Sequence, residues 1–287
     1  MDKDRLYYIL DYNKAHINEI QSACQKFYLH IGRQTAAVIT DIQMVAEMIL
    51  NNMNYQFLRI PLKSKEIGAF QLRLNDASYL VLNTSKSLAN NNFALVHELY
   101  HILIQKDSGG NSADIYLNHY DEDENEMMAN AFAGFVLMPV EDFQLMSGLI
   151  KSKEINSEIL KNTRYIRELS MIYTFMNYYK TTYMSVVIRC YELNVFDIKN
   201  TELLEFLLKN NSESAQRVLC KIQAEIKGTV SIMEPTLIDD FSDLYLKAKG
   251  IGERYVQMGA ITEEDLQYRL DGMKKAYDAI KGEISCQ

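Results

Sequence analysis

Apolar positions recur at helical spacing through most of this chain, and at strand spacing in one short window. Residues 5–32 carry a partial apolar face (Leu6, Ile9, Ile17, Ile20 and Phe27) and read as helical or irregular. From Thr35 to Asn52 the face is fuller, with Ala36, Val38, Ile39, Ile42, Val45, Ala46, Met48 and Ile49, and predicts a helix. Three strand-like runs follow at Tyr55–Pro61, Ala69–Leu74 and Tyr79–Asn83, with Asn75–Asp76 as a tight turn between the last two. Two helices are then expected at 86–106 and 124–137, linked by Asp107–Asn111 and a stretch containing Tyr116, His119 and Tyr120. After Pro139 the pattern is helical to the end. Residues 160–176 and 182–193 form a helix-turn-helix-like pair with its turn at Tyr179–Thr182, and 201–227 and 262–283 are amphipathic. The pattern predicts an α+β chain with a small mixed or antiparallel three-stranded sheet and an all-helical C-terminal half.

The sharpest local feature lies inside the first of the two central helices. Phe93–His101 reads F-A-L-V-H-E-L-Y-H, an H-E-x-x-H pattern in an apolar run. On a helix, residues four apart share a face, so His97 and His101 can turn ring nitrogens to one metal ion. Glu98 projects from the same turn, placed to take a proton from water without ligating the metal. Leu95, Leu99, Ile102 and Leu103 can face a core, and no Gly or Pro falls between Leu88 and Lys106. The competing reading is a buried helix whose histidines merely hydrogen-bond to their neighbours.

A catalytic zinc commonly keeps three protein ligands and one open position. Asp107 is the weaker third candidate, because Ile104 stands where a glycine would turn the chain back. Glu126 is the stronger. The acidic run Asp121–Glu124 suits the positive end of a second helix, and beyond Glu126 the residues turn small or apolar until Pro139.

The order H-E-x-x-H, about two dozen residues, then E-x-x-A-N-x-F-A-x-x-x-L-M-P resembles the ImmA/IrrE family of metallo-endopeptidases. Here it is carried by His97, Glu98, His101, Glu126, Ala129, Asn130, Phe132, Ala133, Leu137, Met138 and Pro139. Ile67–Phe70 and Tyr79–Asn83 are similar to that family's paired strands, and the likeness spans roughly Val38 to Pro139. It implies a zincin-like domain at 35–146, between an N-terminal helical segment (1–34), a helix-turn-helix-like unit (147–200) and a C-terminal helical region (201–287). It also implies Zn²⁺ held by His97, His101 and Glu126, with Glu98 as the base. The protein substrate it implies is a helix-turn-helix repressor, whose cleavage releases genes of a mobile element or stress response. Tyr100 stands where many members carry Gly. Tyr100, Tyr116, His119 and Tyr120 are the candidates for stabilising an oxyanion or contacting substrate, and Val81–Thr84 of the third strand is the expected edge for an added substrate strand.

Composition narrows the partners. With 30 basic against 38 acidic residues, the net charge of −8 disfavours a protein built to hold nucleic acid through its phosphates. Direct DNA contact by 160–193 would need donors at the start of the second helix, where Tyr183, Met184 and Val186 stand. The four cysteines are far apart and read as reduced structural thiols of a cytoplasmic protein. No apolar run reaches the length of a membrane span, and the N-terminus does not read as a signal peptide. Homo-oligomerisation stays open. The rival function is a non-proteolytic regulator, half of a toxin–antitoxin pair, whose zinc site is structural or vestigial.

Overall fold

The computed structural model describes residues 1–74, 77–105, 115–117, 123–151, 165–209 and 232–281. Eleven helices and four strands occur among them, and the fold class is α+β as expected. Their contacts group into two units. One comprises 1–49, 88–109 and 120–233; the other comprises 50–87, 110–119 and 234–287.

The first unit is helical. The N-terminal segment forms two helices, α1 (Lys3–Ala15) and α2 (Ile17–His30), and α3 (Ile42–Asn52) begins later than its apolar pattern suggested. Asp41 explains the late start: its side chain accepts from the Met44 backbone N–H at 3.0 Å, which caps the helix there. Helix α4 (Leu88–Tyr100) carries the H-E-x-x-H pattern and passes at His101 into a π-helical turn, His101–Gln105. Helix α5 (Glu124–Leu137) packs along α4, and Ala129 and Ala133, both fully buried, let the two approach closely. Phe27 of α2, Phe132 of α5 and Tyr100 of α4 form one aromatic cluster, with ring centroids 5.5–5.9 Å apart. Beyond Pro139 run α6 (Val140–Lys151), α7 (Ile166–Tyr179), α8 (Tyr183–Glu192) and α9 (Thr201–Lys209).

The helix-turn-helix-like pair is α7 and α8. Lys180 adopts the left-handed conformation after α7, and Thr182 caps α8 by accepting from Ser185 N at 3.3 Å. Helix α8 is buried along most of its length, through Tyr183, Met184, Val186, Val187, Arg189, Cys190 and Tyr191. It is a packing helix of this unit. Cys24 and Cys190 are buried thiols outside any disulfide, and burial pushes Cys24 up to about 12. No single helix among the described residues is long and apolar enough to cross a membrane.

The second unit holds the sheet. Strands β1 (Tyr55–Ile60), β2 (Ile67–Leu74) and β3 (Ala77–Asn83) match the three expected runs, and a three-residue strand, β4 (Ile115–Leu117), joins them. The order is β1-β3-β2-β4, with β1 parallel to β3 and the other pairs antiparallel, so the sheet is mixed. This corrects one expectation. The Val81–Thr84 region belongs to the central strand, with Val81 opposite Leu58 on one side and Phe70 on the other, so β3 offers no free edge. The outer strands are β1 and β4, and β1 is already engaged. Asp240 accepts from Arg59 N at 2.9 Å, its own N–H donates to Arg59 O at 2.9 Å, and its carboxylate takes the Arg59 side chain.

Asn83 fixes the end of the sheet. Its carbonyl accepts from Leu62 N at 3.0 Å and its amide donates to Ser64 O and Ile67 O, so a buried polar side chain is fully used. Helices α10 (Phe241–Gln257) and α11 (Glu263–Ile280) close this unit as a hairpin. A Cβ at Gly252 would come within 2.1 Å of the Leu266 side-chain end, so a larger residue there would require Leu266 to move. Phe241 and Tyr277 stack at 3.7 Å over Ile60, Leu62 and Val81 on one face of the sheet.

Candidate metal centre

His97 and His101 lie one turn apart on α4 and its π-helical continuation, and Glu126 lies in the first turn of α5. The start of α4 is pinned through Asn92, whose carbonyl accepts from Gln43 and whose amide donates to Lys180 O at 2.9 Å. The start of α5 is pinned twice. Asp123 caps it by accepting from Asn125 N, and the Tyr12 hydroxyl of α1 donates to Glu124 O at 3.1 Å. Acidic Glu124 and Glu126 occupy the first turn, the end of a helix that favours negative charge.

These supports bring three side chains to one point. His97 Nε2 lies 3.1 Å from Glu126 Oε2, His101 Nε2 lies 3.4 Å from Glu126 Oε1, and the two Nε2 atoms are 3.1 Å apart. Donors arranged tetrahedrally around a zinc at its usual 2.0–2.1 Å would sit about 3.3–3.4 Å from one another. The triangle is therefore the size of a metal's coordination face. Among the described residues, His97, His101 and Glu126 form a group that could hold a metal ion, and no fourth His, Cys, Asp or Glu joins them.

Hydrogen bonding decides which nitrogens face inward. His97 Nδ1 is 3.1 Å from Asn130 Oδ1, and His101 Nδ1 is bonded to Gln105 Oε1. An amide oxygen only accepts, so each Nδ1 carries the ring's hydrogen and donates it. In the neutral rings both Nε2 atoms then present bare lone pairs, to each other and to a carboxylate. Three acceptors at such separations repel unless a cation stands between them, and this is the chemical sense in which the donor set fits a divalent metal.

The proton affinities show the same crowding. Burial lowers His97, and the bonds to Glu126 and Asn130 do not overcome it. For His101 burial also works downward, but the bonds to Glu126 and Gln105 and the charges of Glu98 and Glu126 raise it to about 9. Burial would raise Glu126; the adjoining His101 and His97 rings instead hold it far below the usual carboxylate range. Without a metal, one proton shared with His101 stands in the cation's place.

Glu98 is 2 % exposed and lies close enough to His101 to stabilise its charge. The remaining expected residues divide. The Tyr100 ring packs edge-on to His101 at 5.6 Å and against Phe132, and burial followed by the Glu19 charge raises its hydroxyl. The ring thus joins the aromatic packing beside His101. Tyr116 falls on β4, where only the main chain is described. His119, Tyr120 and Asp107 lie outside the described residues. Sequence reasoning gave no role to Asn130 or Gln105. Their signal was available: each lies four residues after a proposed ligand, Asn130 after Glu126 and Gln105 after His101, and so on the same helical face.

The family model described as the IrrE N-terminal-like domain, Peptidase_M78, matches residues 51–191. This segment belongs to the ImmA/IrrE family of metallopeptidases. No curated protein matches the chain. The IrrE-like segment contains all of α4 and α5, so the three converging donors, Glu98, Asn130 and Gln105 all lie within it.

Proposed function

We propose that this chain is a zinc-dependent endopeptidase whose metal ligands are His97, His101 and Glu126 and whose general base is Glu98. The observation that carries this reading is the metal-sized triangle of bare donor atoms on α4 and α5, with a buried carboxylate in the same turn. A bound zinc supplies Lewis acidity towards a peptide carbonyl and acidity to water. The chain's own residues do the rest. His97 and His101 offer neutral Nε2 atoms and Glu126 one carboxylate, which leaves the fourth tetrahedral position open. The Glu98 carboxylate accepts the proton of the attacking water and returns it to the leaving amine nitrogen.

The substrate is a protein, and the motif's resemblance supports a helix-turn-helix repressor whose cleavage derepresses mobile-element or stress genes in the cytoplasm. A closed site with Asp107 or His119 as a fourth protein ligand would favour the non-proteolytic alternative, and both residues lie outside the described ones. Among the described residues the group stops at three.

The test measures zinc content and cleavage of the repressor encoded beside this chain. Glu98→Gln should keep stoichiometric zinc and lose about 10²–10⁴-fold in cleavage rate. Equal cleavage by wild type and variant removes Glu98 from the mechanism. His97→Ala should lose both zinc and activity, and stoichiometric zinc in that variant refutes the ligand assignment.

A further inference from the structure

We infer that Gln105 is a positioning residue for His101, doing from the π-helical turn what Asn130 does for His97 from α5; the inference rests on the metal site proposed above. A neutral imidazole has one N–H, and its place decides which nitrogen can bind a cation. For His101 two acceptors compete for that hydrogen. Gln105 Oε1 faces Nδ1, and Glu126 Oε1 faces Nε2 at 3.4 Å. Were the hydrogen on Nε2, it would donate to Glu126 and close the site with a proton. In the neutral ring the Gln105 carbonyl holds it on Nδ1 instead and leaves the Nε2 lone pair for a metal.

His97 needs this help less. It is fully buried, wedged within α4 and α5, whereas His101 retains 15 % of its side-chain exposure and has more freedom to turn. Gln105 reaches His101 because the two sit four residues apart in the π-helical turn that begins at His101, and such turns recur at functional sites. It stands outside the H-E-x-x-H and E-x-x-A-N patterns, so neither motif signals it. Its amide is neutral, so it fixes the ring without adding a second negative charge behind the metal.

The experiment is a chelator-competition titration of zinc on the full-length apoprotein, with Co²⁺ absorption as a readout of ligand geometry. Gln105→Leu removes the acceptor and should weaken zinc about 10–100-fold, with loss of the tetrahedral Co²⁺ bands. Gln105→Glu has oxygen at both ends, so it should hold zinc as tightly as wild type or more so. Wild-type affinity in Gln105→Leu overturns the inference. So does an equal loss in Gln105→Glu, because the acceptor would then not be what matters. If wild type binds zinc no better than His97→Ala, the metal-site reading itself fails and the role of Gln105 falls with it. If wild type binds tightly, His97→Ala does not, and Gln105→Leu binds as tightly as wild type, the fault lies in this inference alone.

Discussion

Two clusters of buried polar side chains sit in the helical unit, and they are satisfied in opposite ways. Around Arg189 every charge finds a protein partner. Its Nε and Nη2 both donate to Met138 O, its Nη1 donates to Glu192 at 2.8 Å, Asn13 donates to the other Glu192 oxygen, and its guanidinium lies 3.9 Å over the Phe135 ring. Around His97, the outward nitrogens are satisfied by Asn130 and Gln105 while the two inward Nε2 atoms converge on each other and on the Glu126 carboxylate. The Arg189 cluster even borders a cavity of about 570 Å³. Burial, charge and a neighbouring cavity therefore do not by themselves mark a site. Acceptors that converge on one point do, because their arrangement is stable only with a cation or a proton between them.

The largest effect expected from this contrast is on stability. Arg189→Leu would leave Glu192 buried without its charge partner and Met138 O without its donors, which should cost about 3–5 kcal/mol. Urea unfolding should show that loss, while the zinc affinity of the remaining folded protein stays at the wild-type value. His97→Ala should do the reverse: zinc binding is lost, and the metal-free protein keeps its unfolding midpoint or gains, since one of the crowded acceptors is gone. If Arg189→Leu weakens zinc as strongly as it weakens the fold, the two clusters are not independent and the contrast fails.

A smaller effect follows from the proton that competes with the metal. With His101 raised to about 9 in the metal-free protein, zinc must displace one proton at neutral pH, whereas His97 is already neutral and Glu126 already ionised. Affinity should rise about tenfold per pH unit from pH 7 and level off near 9. The stability of the metal-free protein should move the other way. The folded-state value of His101 lies above its unfolded one of about 6.5, so its contribution is complete below that value and is lost as pH rises through about 9. Thermal melting of the apoprotein between pH 6.5 and 9 checks the sign, and a flat zinc affinity over the same range would show that His101 holds no such proton.

Much of this contrast was legible in the sequence on one side only. The H-E-x-x-H spacing and Glu126 could be read because metal ligation demands particular residue types at fixed offsets. Asn130 and Gln105 could not be assigned roles, since an amide four residues from a ligand is common on any helix and gains meaning only when its oxygen faces Nδ1. Arg189 received no role from the sequence, because its partners lie 51 residues away at Met138 and, through Glu192, at Asn13 on α1. The sheet shows the same limit. Local alternation located three strands, but whether β3 is central or at an edge depends on pairings with β1 and β2 that no local pattern encodes.

The smallest effect tests whether the N-terminal helix belongs to the metal site or only to its frame. Tyr12 of α1 donates to Glu124 O two residues before Glu126, and its ring stacks on His16 at 4.2 Å. Tyr12→Phe keeps the stack and removes one partly exposed hydrogen bond, which should cost about 0.5–1.5 kcal/mol. The nearby His16–Glu124 contact, at 3.8 Å with Glu124 largely exposed, should add nothing measurable on its own. Because Asp123 still caps α5 and Asn130 still bonds His97, the Glu126 carboxylate should keep its place, and zinc affinity should change less than about threefold. A tenfold loss of zinc in Tyr12→Phe without a loss of stability would move α1 from the frame into the site. It would also mean that the first turn of α5 is held in ligating geometry from outside, by a contact that the spacing of the metal ligands alone does not predict.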